Sequence, residues 1–125
     1  MNYSKRIVVD FDETLAWVTN YDFENARVNT VLIAKLNTFV DEGWTVDVFT
    51  ARGHLSCESR EAAALKYCDK IISLLDKHGL KYNLLSFDKP FAALYIDDKA
   101  ITPTDFLNEN IDHTGSWQGV KTTPT

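Results

Sequence analysis

The chain has 125 residues, 45% of them hydrophobic and 25% charged, which is the usage of one ordinary globular domain. Its net charge of −5 leaves no basic stripe to release counterions from a duplex, so a nucleic-acid partner is not expected. Cys57 and Cys68 form no CxxC pair and residues 7–9 are too short an apolar run for a signal peptide or a membrane span, so a reducing, cytoplasmic setting is expected.

Residues 5–10 read as a short buried strand, because Ile7, Val8 and Val9 are contiguous and β-prone. Residues 13–28 show no clean period and carry Trp17, Tyr21 and Phe23, the pattern of a loop or small flap. From Thr30 onward Leu32, Leu36, Phe39 and Val40 recur at helical spacing, with Asn29 or Thr30 as the cap and Gly43 as the stop. Residues 44–50 alternate and are rich in Val, Thr and Phe, a second strand. A second helix is predicted over 58–78, with Leu65, Cys68, Ile72 and Leu75 on one face and Gly79 behind it. Residues 82–87 form a third strand, and Leu94, Tyr95 and Ile96 a fourth, followed at once by Asp97 and Asp98. Pro103 opens a short helix through Phe106 and Leu107. Beyond Asn110 the chain is polar, so the expected organisation is one domain over 1–110 and a tail over 111–125.

This order implies an α/β fold, a largely parallel sheet joined by right-handed crossovers. Such sheets bind ligands beyond the carboxyl ends of their strands. Asp10 and Asp12 stand at the first such end, Thr50 and Arg52 at the second, Lys89 after the third, and Asp97 and Asp98 after the fourth. Four carboxylates on one rim repel strongly: at an effective dielectric of ~20, two unit charges ~4 Å apart interact by about 4 kcal/mol. A cation or a shifted protonation must neutralise them. The donors are hard oxygens with no His or Cys beside them, which favours Mg²⁺. A carboxylate beside such a metal can attack phosphorus, with Lys89 and the Thr50 hydroxyl offsetting the repulsion of an incoming phosphate. A second carboxyl two residues on can protonate the leaving oxygen and later activate water.

Residues 7–14, Ile-Val-Val-Asp-Phe-Asp-Glu-Thr, resemble the DxDxT strand end of the haloacid dehalogenase superfamily. Phe49-Thr50-Ala51-Arg52 resembles its second motif, Lys89-Pro90 its third and Tyr95-Ile96-Asp97-Asp98 its fourth, so the similarity spans roughly residues 6–107. The resemblance implies a three-layer, Rossmann-like (HAD-like) sandwich with a mostly parallel sheet. It implies Asp10 as nucleophile and metal ligand, and Asp12 as general acid/base with its backbone carbonyl on the metal. Asp97 would complete the metal shell, and Asp98 would join it directly or through water. Thr50 and Lys89 would hold the phosphoryl group, and Ala51 and Arg52 beside them are the further expected substrate contacts. Asp12 suits a phosphatase, since dehalogenases of the superfamily lack it; Glu13 stands where many relatives carry Gly.

The chain is too short for a mobile cap domain, and residues 15–28 can supply only a flap. A narrower similarity to small capless members associated with capsular polysaccharide synthesis points to a phosphorylated metabolite such as a sugar phosphate. Phosphotransfer to an acceptor other than water would use the same residues. A receiver-type phosphoacceptor places its acidic pair after strand one and its acceptor after strand three, unlike the order here. No membrane partner is expected, and a homo-oligomer in which a partner subunit closes the pocket stays open. Asn25, Arg27, His54 and Arg60 read as solvated surface, and Trp17, Tyr21 and Phe23 as either pocket wall or flap packing.

Overall fold

The computed structural model describes residues 5–109, so the expected tail over 111–125 lies outside the described residues. In chain order the elements are β1 (Arg6–Asp10), β2 (Ala16–Trp17), β3 (Arg27–Val28), α1 (Thr30–Asp41), β4 (Thr45–Phe49), α2 (Arg60–Lys77), β5 (Leu84–Ser86) and α3 (Pro103–Asn108). β1, β4 and β5 form a parallel sheet in that spatial order, with Asp10 opposite Phe49 and Phe49 opposite Ser86. All three strands therefore end at one rim. β2 and β3 pair antiparallel, which turns the expected flap into a small hairpin.

The helices begin where their caps dictate. The Asn29 side chain accepts the Leu32 N–H at 3.1 Å, the Ser59 hydroxyl accepts that of Ala62 at 3.0 Å, and Thr102 accepts that of Asp105 at 3.2 Å. Gly43 follows α1 with φ of +93°, a left-handed conformation open to glycine at little steric cost. Strand neighbours β1, β4 and β5 follow chain order, so right-handed crossovers put α1 and α2 over the same face. Phe11, Leu15, Leu36, Phe39, Val46, Val48, Tyr67, Ile71 and Leu75 are fully buried in the resulting core. Each such large side chain contributes about 1.5–3 kcal/mol by leaving water. Phe39 holds the layers together, edge-on to Trp44 at 5.1 Å and tilted against Phe106 of α3 at 5.5 Å.

Two expectations are corrected. Leu65 does not lie on the buried face of α2: it is 90% exposed, and the buried stripe is Ala63, Tyr67, Ile71, Leu74 and Leu75. The stripe follows the i, i+4 rhythm, and Leu65 stands about 200° round the helix from Ala63. The fourth strand does not form either. Leu94, Tyr95 and Ile96 pair with no strand of the described residues, and Ile96 is 91% exposed. The segment curls back instead: the Tyr95 hydroxyl donates to the Pro90 carbonyl, and the Tyr95 ring lies 4.4 Å from Lys89 Nζ. Among the described residues β1 is thus an edge strand, and Val8 is 46% exposed. The opposite face of the sheet carries a charged pair, with Arg6 Nε 2.5 Å from the buried Asp47 carboxylate. No helix of the described residues is long and apolar enough to cross a membrane.

Candidate active site

The rim where β1 and β4 end opens into a cleft of about 670 Å³. Past β1 the Phe11 carbonyl accepts the N–H groups of Thr14, Leu15 and Ala16 in one tight turn, while the Phe11 N–H continues the ladder to the Phe49 carbonyl at 3.1 Å. The turn brings Asp10, Asp12 and Glu13 to the cleft lining. Glu13 has φ of +61°, the left-handed region in which glycine is unstrained. Glu13 adopts that conformation without being glycine.

The two carboxylates each face a different cation. Lys89 Nζ lies 3.1 Å from Asp10 Oδ1, and the Thr14 hydroxyl donates to Asp10 Oδ2 at 3.3 Å. Arg52 donates from Nε at 3.1 Å and from Nη2 at 2.5 Å to Asp12 Oδ1, and the Thr50 hydroxyl donates to Asp12 Oδ2 at 3.3 Å. Burial pushes the Asp10 carboxyl above its ordinary value, and the hydrogen bond and charge of Lys89 offset this only in part. Thr50 itself is fully buried, its N–H bonded to the Ser86 carbonyl at 2.9 Å, so the turn after β4 is anchored to β5.

Of the residues singled out in the sequence, Asp10, Asp12, Ala51, Arg52 and Lys89 line the cleft, and Thr50 supports it from beneath. Asp97 and Asp98 are not brought to it. Both are exposed, Asp98 is paired with Lys99 at 3.3 Å, and Lys99 holds the Asp98 carboxyl below its usual range. Among the described residues no group of three or more His, Cys, Asp or Glu is gathered as a metal site. The cause is the missing fourth strand, which was to carry this pair to the rim.

Trp17 and Tyr21 are cleft wall, with Arg27 stacked on Trp17 at 4.2 Å, whereas Phe23 is buried as packing. Arg60 and Asn25 are surface residues, paired with Asp88 and Asp22. His54 departs from its surface reading: it lines the cleft, its Nε2 3.0 Å from the Phe87 carbonyl. Tyr67 was missed. It reaches the cleft from the middle of α2, stacked against Tyr21 with ring centres 6.4 Å apart. The only signal for it was its place one turn from Ala63 on the buried stripe.

No family model matches the chain, and no curated protein matches it. Among solved structures it is similar to a Vibrio cholerae protein determined as an MCSG structural-genomics target, with a TM-score of 0.73 and 28% identity. The match covers 86% of this chain and 90% of that one. The shared α/β fold therefore extends over nearly the whole of both molecules.

Proposed function

We propose that this protein is a Mg²⁺-dependent phosphomonoester hydrolase of the haloacid dehalogenase type, working through an aspartyl-phosphate on Asp10. One observation carries the reading: Asp10, Asp12, Thr50 and Lys89, from three separate stretches of chain, meet at the carboxyl rim of a parallel sheet. Asp10 is the nucleophile. Lys89, already on its carboxylate, also faces the incoming phosphoryl oxygens and lowers the repulsion between the two anions. Asp12 protonates the departing oxygen and then takes a proton from the water that releases phosphate from Asp10.

The donors suit Mg²⁺ in kind. The Asp10 carboxylate on the cleft floor and the Asp12 backbone carbonyl two residues on are hard oxygens of the kind that Mg²⁺ takes alongside waters and substrate phosphate. The Asp10 carboxylate and the Asp12 backbone carbonyl would hold it, with Asp97 and Asp98 joining if residues 94–96 straighten beside β1 as the fourth strand of a three-layer sandwich. When bound, the metal supplies charge neutralisation at the phosphoryl oxygens. The cleft volume fits a small phosphorylated metabolite such as a sugar phosphate.

The test is release of inorganic phosphate from an aryl phosphate in Mg²⁺, with intact-protein mass followed for a phosphoryl adduct on Asp10. Steady release that stops on chelation and in Asp10→Asn is expected. Turnover by clean Asp10→Asn, or full activity in excess chelator, would overturn the reading.

A further inference from the structure

The two oxygens of Asp12 are not equivalent. Oδ1 accepts two N–H groups of Arg52, at 3.1 and 2.5 Å, whereas among the described residues Oδ2 accepts only the Thr50 hydroxyl, at 3.3 Å. Arg52 is itself held in place. Its guanidinium carbon lies 5.1 Å from the centre of the Phe23 ring and 5.4 Å from that of Tyr67. Its backbone N–H donates to the Thr50 hydroxyl oxygen at 3.0 Å, and its side chain is only 15% exposed. The next residue explains how this loop comes so near α2. Gly53 has φ of +85°, and a Cβ there would sit 2.7 Å from the Ala63 Cβ and 3.2 Å from the Tyr67 ring. A planar cation stacked against two rings has little freedom to swing toward another partner.

We propose that Arg52 is a positioning residue for Asp12: it pins Oδ1 and so assigns Oδ2 as the oxygen that moves the proton. The proposal rests on the phosphatase reading of the site. In the first half-reaction a bond forms between an Asp10 oxygen and phosphorus, and the bond from phosphorus to the leaving oxygen breaks. The proton on Asp12 Oδ2 passes to that leaving oxygen. In the second half a water oxygen bonds to phosphorus, the bond to Asp10 breaks, and the water proton returns to Oδ2. Ester and water become alcohol and phosphate, with no other reactant. Without Arg52 the carboxylate turns freely about its broad terminal torsion and presents either oxygen at varying distance. Misplacement of a reacting group by about 1 Å costs on the order of 10²-fold in rate.

The alternative is that Arg52 binds the substrate and meets Asp12 only in its absence. Two esters separate the readings. An aryl phosphate loses a phenolate that needs no proton, whereas an alkyl phosphate loses an alkoxide that does. With Arg52→Ala the single-turnover rate on the alkyl ester should fall on the order of 10²-fold, by the same misplacement argument. The single-turnover rate of phenol release from the aryl ester should change little, and so should the concentration of either ester that half-saturates its single-turnover rate. Arg52→Lys should restore only part of the loss, because a point charge cannot repeat the two-nitrogen contact. In an Asp12→Ala background, adding Arg52→Ala should cost nothing further. Equal single-turnover losses on both esters, a change confined to the half-saturating concentration, or additive losses would overturn the proposal. Circular dichroism checks folding, and Arg52→Lys and Arg52→Gln carry the test if Arg52→Ala unfolds. If the wild-type protein turns over neither ester, the phosphatase reading fails. The Arg52 Nε–H resonance then decides the contact: it should move in Asp12→Ala, and an unmoved resonance overturns the pinning itself.

Discussion

Lys89 Nζ lies 3.1 Å from Asp10 Oδ1, yet the Asp10 carboxyl remains above its ordinary value. Burial is the larger effect, and the lysine only reduces it. A carboxyl raised in this way binds its proton more tightly in the folded chain than in the unfolded one. Its contribution to stability is fully present below the ordinary carboxylate value and is lost as pH rises through the raised value. Asp10→Asn has no such titration. At neutral pH and without divalent cation it should therefore melt above the wild type, and the gap should close as pH falls through the Asp10 titration. Thermal melts across the acid range check this; a gap that widens on acidification would show that the charge is favourable in the fold.

The pair Arg6–Asp47 is a different case, structural and away from the cleft. Asp47 is buried on β4; its Oδ2 meets Arg6 Nε at 2.5 Å, and its Oδ1 has no hydrogen-bond partner among the described residues. Arg6→Met strands the buried carboxylate; removing one partner of a fully buried pair costs about 3–5 kcal/mol, and with the Arg6 side chain 32% exposed the loss should fall below that range. Asp47→Leu added to it removes the stranded charge and should recover most of that loss. Urea unfolding of the single and double variants gives both numbers. A double variant no better than Arg6→Met would mean that the strand needs the carboxylate itself.

Much of the fold is written locally. A contiguous apolar run ending in Asp10, the Asn29 cap and the alternation of residues 44–50 each decide an element without help from the rest of the chain. Leu94, Tyr95 and Ile96 fail because three apolar residues have no period of their own. Tyr95 can satisfy its hydroxyl on Pro90 and its ring on Lys89 without joining the sheet. The α2 stripe was misread because it rests on Ala63 and Tyr67, one small and one polar-tipped, while the conspicuous Leu65 points to water. The site followed the same division. Asp10, Asp12, Thr50 and Lys89 were legible because strand ends bring them to one rim. Which cation meets which carboxylate was not, since the Arg52 contact depends on Gly53 meeting α2 across the fold.

The metal reading separates Asp97 from the residues already on the cleft floor. Calorimetry with Mg²⁺ should give binding that Asp10→Asn weakens. Asp97→Ala should weaken it as well if residues 94–96 straighten when the cation binds, and hydrogen exchange at those amides should then slow. Ca²⁺ should bind but support turnover poorly, because its larger and looser shell misplaces nucleophile and phosphorus. Unchanged Mg²⁺ affinity in Asp97→Ala would confine the site to Asp10 and Asp12.

Gly53→Ala should act on stability and on the cleft together. The added Cβ meets the Ala63 Cβ at 2.7 Å, and the backbone is left-handed. The nearest of its three neighbours, the Ala63 Cβ, is fixed to the α2 backbone, so the loop itself must move. Overpacking of this kind costs about 1–3 kcal/mol. The displaced loop should carry Arg52 away from Asp12, so the alkyl ester should suffer more than the aryl ester. A melt unchanged from the wild type would show that the loop yields without cost.

Asp12→Ala gives the sharpest view of the two half-reactions, because they need its carboxyl differently. An aryl leaving group departs without a proton, so formation of the aspartyl-phosphate from an aryl phosphate should proceed in the variant. Attack by water on that intermediate needs a base whichever ester supplied the phosphoryl group. General acid–base help is worth ~10²–10⁴-fold, so the second step should become strongly rate-limiting. The expected record is a burst of phenol equal to the enzyme concentration, slow turnover after it, and a phosphoryl adduct that persists on Asp10. With an alkyl phosphate the first step should itself be slow and no burst should appear. Rapid-quench kinetics and intact-protein mass read both. If the two esters slow by the same factor and no adduct accumulates, Asp12 moves no proton in either step. Its contact with Arg52 would then be structural, and the proton donor would have to be sought among the other cleft residues, His54 first.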